Sequence, residues 1–370
     1  MKRILFLIPN LAHGGAERVL VNLANNLDQN RFDVTVQTLF DVGVNRQYLS
    51  PHVHYIPGAK KHFRGNTTLM KLFSPERLYK SIIHGHYDIL VSYLEGPTTR
   101  IIAGCHDPNV KKVAWIHIEL PTKKQAATGF RSPAEALRLY NTFDRLVAVA
   151  NSVKKVFLDS LGVSAPIDVL YNTNETEKIR SLAAEPNDDP AFRGEGIMVC
   201  SVAKGVYPKG FDRLMNVHKR LLDDGIRHTI YILGIGEEQK QLEAQAAKLG
   251  VSDSFRFLGF KDNPYSYVAR CDLYVCSSRR EGFSTAVTES LIVGTPVVST
   301  DCSGARELLG EHDEFGIVVE NSEEGIYAGM KRMLTDPEML RHYKEKAAQR
   351  GEKFSREETV LAVERMMEEL

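Results

Sequence analysis

At roughly 100–200 residues per domain, a chain of 370 residues is expected to fold as two domains. Apolar residues make up 43% and charged residues 25%, which excludes a disordered or a collagen-like chain. Basic and acidic side chains balance at 47 each. Residues 1–172 nevertheless hold 21 basic against 13 acidic, a net of +8, and the remainder 26 against 34, a net of −8. This asymmetry directs the front half toward an anionic surface or ligand.

The first residues, MKRILFLIPN, run basic then apolar and are broken at Pro9 and Asn10 without a small-residue cleavage site. They read as a first buried strand and not as a secretion signal. No apolar run reaches the ~18 residues of a membrane span. Further strands are predicted at 34–39, 89–92, 113–116, 146–149 and 167–170, with helices such as 16–27 and 151–161 between them. Strand–helix alternation with continuous apolar strands predicts a parallel sheet covered on both faces. The Pro-, Gly- and Asp-rich stretch 184–196 reads as a linker or exposed loop, after which the alternation restarts. Strands are predicted at 197–202, 229–233, 255–258, 273–276 and 296–300, and helices at 211–222, 237–249, 285–293 and 323–334. The last helix, 356–369, spaces Val360, Leu361, Val363, Met366 and Met367 at helical intervals, so it must pack on something, such as the first domain. The expected domains are therefore 1–172 with the helix 355–370 returning to it, and 173–354. The five cysteines, Cys105, Cys200, Cys271, Cys276 and Cys302, are sparse and irregular, without CxxC or a zinc-ligand pattern, as expected of reduced thiols in a cytoplasmic protein.

Open parallel sheets bind ligands outside the carboxyl ends of their strands, so four loops draw notice. PNLAHGGAER follows the first strand; Gly14 and Gly15 permit close approach of a ligand to a helix start, although the spacing is not GxGxxG. In WIHIE, His117 follows the strand 113–116 at its C-terminal end. In SVAKGVYPKGF, Lys204 and Lys209 sit between a strand and a helix, where two ammonium groups and a helix N-terminus suit a diphosphate. In RREGFSTAVTESLIVGTP, Glu281 lies in a Gly-containing loop and Glu289 eight positions on inside the next helix. Eight helical residues rise ~12 Å, an upper limit comparable to the span from a sugar across a diphosphate to a ribose.

The run EGFSTAVTE followed by SLIVGTPVV resembles the signature of glycosyltransferase family 4, and the order of GGAER, VAKGVYPKGFD, LGIGEE, FLGF and SGARELL along the chain extends that resemblance over nearly its whole length. The resemblance implies the GT-B fold, α/β with two Rossmann-like parallel-sheet domains facing across a cleft, and a retaining enzyme that uses nucleotide-sugar donors. It implies that Lys209 contacts the donor diphosphate, that Lys204 stands where the family usually has arginine, and that Glu281 lies near the transferred sugar. Glu289 would hold the ribose hydroxyls. Gly282, Phe283, Ser284 and Thr285 would offer backbone to sugar and phosphates, and Phe260 would mark the nucleobase pocket. Gly14 and Gly15 match the loop approaching donor phosphate and acceptor, and His117 resembles the first-domain histidine near the sugar. Asn172 replaces part of an asparagine-glycine turn and reads as structural.

The chain has no Asp-x-Asp, so no metal and no cofactor is expected; the lysines and the helix start would stabilise the leaving diphosphate. Uracil is the base implied by the family. Basic residues Lys60, Lys61, Arg64, Lys71, Arg77 and Lys80 interleave with Leu69, Met70, Leu72, Phe73 and Leu78, and Lys123, Lys124, Arg131 and Arg138 add charge. That mixture suits an anionic membrane surface and a lipid-linked glycan acceptor, hence a cytoplasmic enzyme peripheral to the inner face of the plasma membrane. Rival readings are a nucleotide-sugar epimerase of the same fold, a phosphorylase, a dinucleotide oxidoreductase and a non-catalytic sugar-nucleotide binder. The incomplete GxGxxG argues against the oxidoreductase, and no recognition motif suggests nucleic acid.

Overall fold

The computed structural model describes residues 1–12, 14–60, 65–193 and 196–370. Lys61 and Arg64 of the basic stretch therefore lie outside the described residues. The chain divides into two compact units, Met1–Asn174 with Arg356–Leu370, and Glu175–Ser355. Of the stretch 184–196, Ala184 ends the helix Thr176–Ala184 and the described residues 185–193 run on within the second unit as a loop, anchored by Asp189, which pairs with Lys261 at 2.6 Å and accepts from the Tyr267 hydroxyl at 2.8 Å.

In the first unit, strands β1 (Lys2–Ile8), β2 (Phe32–Thr38), β3 (His54–Ile56), β4 (Ile89–Ser92), β5 (Lys111–Ile116), β6 (Arg145–Ala148) and β7 (Ile167–Val169) form one sheet, with order β3-β2-β1-β4-β5-β6-β7 and every pairing parallel. Ile4 to Ile8 are fully buried, as a central strand covered on both faces requires. The second unit repeats the plan: β8 (Ile197–Val202), β9 (His228–Leu233), β10 (Phe255–Gly259), β11 (Leu273–Cys276), β12 (Val297–Thr300) and β13 (Ile317–Val319) lie in the order β10-β9-β8-β11-β12-β13, again all parallel. Its core gathers Val199, Leu214, Ile230, Val275 and Met330.

Both sheets reverse their strand order once, between β1 and β4 and between β8 and β11. These switch points are where adjacent loops diverge and leave a crevice. The expected strands are present, whereas β3 and β13, three residues each at or near a sheet edge, carry too short a pattern to be seen in the sequence. The 15-residue helix Pro337–Gly351 was also not anticipated: its first turn is capped by Asp336, but it buries only Tyr343, Ala347 and Gly351, a stripe too sparse to read.

The helix Arg356–Glu368 packs on the first unit through Val360, Val363, Met366 and Met367. Arg31 donates to Glu364 at 2.7 Å, the Asp28 amide to the same carboxylate at 2.8 Å, and Lys2 Nζ to the Met367 carbonyl at 2.8 Å. Basic groups at the front of the chain thus meet the acids of its last turns.

Candidate active site

The second switch point carries the lysine and glutamate loops. The segment after β8 runs to a 3₁₀ turn, Tyr207–Lys209, and into the helix Phe211–Asp223. The segment after β11 runs to the helix Thr285–Ile292. Because β8 and β11 are hydrogen-bonded neighbours, residues some seventy positions apart meet. Lys209 Nζ lies 2.6 Å from Glu281 Oε1, and the Ser278 hydroxyl donates to the same oxygen at 2.5 Å. The Ser277 hydroxyl donates to the Lys209 carbonyl at 2.9 Å. Both charged side chains are partly screened from water, 26% exposed for Lys209 and 12% for Glu281.

Further residues hold this arrangement, and sequence reasoning missed them. The Arg213 guanidinium donates to the Ser277 carbonyl at 2.9 and 2.7 Å, to the Ser278 carbonyl at 2.7 Å and to Asn321 Oδ1 at 2.6 Å. It is buried, and burial works against its charge. Arg279 grips Asp212 through two 2.7 Å bonds and stacks over the Tyr207 ring at 4.1 Å. A signal existed: Arg213 shares a helical stripe with Val217 and Leu221, and a cation on an apolar stripe is anomalous. Gly210 is needed at the junction, since φ is +69° and a Cβ would lie 2.2 Å from the Ser277 carbonyl oxygen.

Ser284 caps the helix Thr285–Ile292, its hydroxyl accepting from the Val287 amide at 3.4 Å. The first-turn amides of such a helix have no carbonyl partner within it and offer partial positive charge. Phe283 is buried against Phe354, with centroids 6.0 Å apart, so this residue anchors the loop by its ring. Glu289, on the same helix, accepts from the Tyr265 hydroxyl at 3.2 Å. Lys204 is exposed and has no ion pair among the described residues. Phe260 follows β10 and is 56% exposed. The loops after β8 and β9 touch closely: a Cβ on Gly236 would meet the Gly205 carbonyl oxygen at 2.1 Å, and the Gly205 amide donates to the Ile235 carbonyl at 3.2 Å. Gly234-Ile235-Gly236 thus serves loop packing.

On the first unit, Gly14 and Gly15 begin the helix Gly15–Asn26 after β1. The space beside Gly14 is taken by Glu17, whose carboxylate folds back so that a Cβ on Gly14 would lie 2.0 Å from Oε2. Burial pushes the Glu17 carboxyl up, opposed by a hydrogen bond from its own backbone. His117 directly follows β5 and is buried, with Nε2 lacking a hydrogen-bond partner. Burial lowers the ring's pKa to about 3, against a hydrogen bond to the Tyr93 backbone that raises it. The imidazole is therefore neutral at physiological pH and presents a bare acceptor nitrogen. Its backbone amide donates to Glu95 at 3.1 Å. Asn172 is buried; its carbonyl accepts from the Asn174 side chain at 3.0 Å, and its Oδ1 has no hydrogen-bond partner among the described residues. Among the described residues no group of three or more His, Cys, Asp or Glu side chains is disposed to hold a metal ion.

Comparison with known proteins agrees with this architecture. The family described as Glycosyltransferase Family 4 matches residues 13–178, and that described as Glycosyl transferases group 1 matches residues 185–350. The chain is 28% identical over 373 residues to the N-acetylgalactosamine-N,N'-diacetylbacillosaminyl-diphospho-undecaprenol 4-alpha-N-acetylgalactosaminyltransferase of Campylobacter jejuni, covering 96% of each chain. It is 27% identical over 357 residues to the lipopolysaccharide core biosynthesis glycosyltransferase LpsE of Rhizobium meliloti, covering 93% of each. Among solved structures, Anabaena Alr3699/HepE in complex with UDP and glucose superposes with a TM-score of 0.81 at 19% identity over the whole of both chains. WaaG, a glycosyltransferase involved in lipopolysaccharide biosynthesis, superposes at 0.72 and 16% identity over 97% of this chain and 98% of its own. With the two family matches spanning most of its length and both sheets in the same order, the chain belongs to the glycosyltransferases of the GT-B fold, family 4-like in its first half and group 1 in its second.

Proposed function

We propose that this glycosyltransferase moves a hexose-type sugar from a UDP-sugar to a hydroxyl of a lipid-linked glycan, with retention of anomeric configuration. The observation that carries the donor half is the Lys209–Glu281 pair beside the Ser284-capped helix at the β8/β11 switch point. A diphosphate over that helix start meets oriented amides and the Lys209 ammonium, and exposed Lys204 can join them. As the sugar–oxygen bond breaks, negative charge grows on the departing diphosphate and positive charge on the sugar ring. Fixed cationic groups and amide dipoles stabilise the first, and the Glu281 carboxylate lies ready for the second or for the ring hydroxyls. His117 acts only as an acceptor for a sugar hydroxyl, because a nitrogen protonated near pH 3 has no proton to give at pH 7. For retention, the acceptor attacks on the face the diphosphate leaves, and the leaving phosphate oxygen takes the proton.

The second unit would hold the donor, with Glu289 at the ribose and Phe260 at the base, and the first unit the acceptor. The Anabaena relative's structure contains UDP and glucose, and the Campylobacter relative is named for a diphospho-undecaprenol substrate; both favour this pairing of substrates. No step needs a metal or cofactor. Among the described residues no helix is long and apolar enough to cross a membrane. The mixed basic and apolar stretch 59–83 supports peripheral association at a cytoplasmic leaflet as the way a lipid-linked acceptor is met.

The test is a reaction followed by NMR, offering UDP-, GDP- and ADP-sugars with a polyprenyl-diphosphate-linked glycan, with and without EDTA. We expect an α-linked product from an α-linked UDP-sugar, undiminished by EDTA. A product of inverted configuration, or epimerised sugar released without acceptor, would overturn the reading.

A further inference from the structure

Three of the large apolar side chains that the molecule leaves exposed lie together: Leu69 is 48%, Leu72 72% and Phe73 38% exposed. Leu69 lies in the short helix Asn66–Met70, and Leu72 and Phe73 follow it and precede the helix Pro75–Ile82. A segment this apolar would ordinarily turn inward. Here two arginines fix it the other way. Arg100, itself buried, donates to the Met70 carbonyl at 3.1 Å and the Phe73 carbonyl at 2.8 Å. Arg131 donates to the Lys71 carbonyl at 2.6 Å, the Leu72 carbonyl at 3.1 Å and the Phe73 carbonyl at 3.0 Å. Glu135 holds both arginines, accepting from the Arg100 guanidinium at 3.1 Å and the Arg131 amide at 2.5 Å. The amides are satisfied as well: Leu69 donates to Gly65, Lys71 to Thr68, Leu72 to Leu69 and Phe73 to Met70.

The result is a tip whose backbone is hydrogen-bonded to protein while its side chains face outward. Leaving water costs such a tip little, because the expensive step, burying unpaired peptide groups, has been avoided. Its surroundings are cationic. Arg77 lies 5.4 Å from the Phe73 ring, Lys71 and Lys80 sit on the same segment and the helix that follows it, and Arg131 is hydrogen-bonded to the tip, with Arg138 three residues beyond Glu135. The carboxylates there are already engaged, Glu76 with His106 and Glu135 with Arg100.

We propose that Leu69, Leu72 and Phe73 insert into the interface of an anionic phospholipid bilayer while the surrounding lysines and arginines hold its headgroups. Charge complementarity selects this occupant over a neutral surface, and a small apolar insertion combined with a basic rim gives reversible attachment. This deepens the reading of a lipid-linked acceptor, but vesicle binding itself requires no catalysis.

The test uses the full chain in flotation with vesicles of phosphatidylcholine and phosphatidylglycerol at 7:3, against phosphatidylcholine alone. Binding should favour the anionic vesicles by at least about tenfold and weaken with salt. Lys71→Glu with Lys80→Glu should lower it roughly fivefold or more per residue. Leu72→Ser with Phe73→Ser should lower it about tenfold, with an unchanged thermal melt. Both pairs should spare transfer to a water-soluble acceptor analogue and reduce transfer to an acceptor embedded in vesicles. Equal binding to both vesicle types, or variants that bind like the parent, would overturn the proposal. So would gel filtration showing that Leu72→Ser with Phe73→Ser converts a dimer to a monomer. Intact vesicle binding with no transfer to either acceptor would instead sink the functional reading alone.

Discussion

The Lys209 ammonium is held by Glu281, and on the proposed reading a donor diphosphate draws it away. Two substitutions separate these roles. Lys209→Met removes the cation. At an effective dielectric of ~20, unit charges 4 Å apart interact by about 4 kcal/mol. Because Lys209 is 26% exposed, part of that is lost to screening, leaving about 3 kcal/mol. This is within the range seen when a single preorganised donor to a developing anion is removed. The turnover of Lys209→Met should therefore fall on the order of 10²-fold, and its affinity for UDP should fall with it. Glu281→Gln keeps shape and removes the competitor for the ammonium. Its UDP affinity should hold or rise, while transfer falls because the sugar loses its carboxylate. Isothermal titration with UDP and a coupled assay of UDP release read the two effects separately. The reasoning fails if both variants weaken UDP alike, or if Lys209→Met turns over normally.

A second prediction concerns a buried histidine pair in the second unit. His228 Nδ1 donates to the Ile226 carbonyl, so its Nε2 must accept from His218 Nδ1 at 2.8 Å, and His218 Nε2 accepts from Ser254 at 2.9 Å. Every ring nitrogen is thus committed in the neutral form. Burial, with His228 nearby, lowers the pKa of His218 to about 3. Above pH ~6.5 neither folded nor unfolded chain binds this proton. As pH falls from 6.5 toward 3 only the unfolded chain does, so stability should drop by about 2 kcal/mol at pH 5. Urea unfolding at pH 7 and pH 5, followed by circular dichroism, checks this; a pH-independent midpoint would refute it. Arg213→Met strands the Ser277 carbonyl in the interior, at about 1–3 kcal/mol for that unpaired group, whereas the Ser278 carbonyl keeps the Thr300 hydroxyl at 2.6 Å. Its urea midpoint should fall and its Michaelis constant for donor should rise, whereas a variant matching the parent in both would show that Arg213 holds nothing in place. His117→Phe should slow transfer without moving its pH profile between 6 and 8, since the ring carries no titration in that range; a profile that shifts would contradict the neutral assignment.

Much of this protein was readable from its residues alone. The run at 4–8 is continuous and apolar because the central strand of a doubly covered sheet faces no water, and that requirement is written locally. The lysine and glutamate loops were likewise visible, since a charge or a glycine directly after a strand needs no distant partner to be noticed. Tertiary structure decided what those loops face. Lys209 meets Glu281 only because the chain crosses over between β8 and β11, and no local pattern encodes which strands become neighbours. Arg213, read locally, is one more helix charge; its partner Asn321 lies 108 positions on. The basic and apolar mixture around 59–83 was plain, yet the outward set of Leu69, Leu72 and Phe73 depends on Arg100 and Arg131, held by Glu135. Hydrophobic periodicity is a local consequence of burial and survives in the sequence, whereas the pairing of a buried polar group is a property of the contact it makes, and only the folded chain creates that contact.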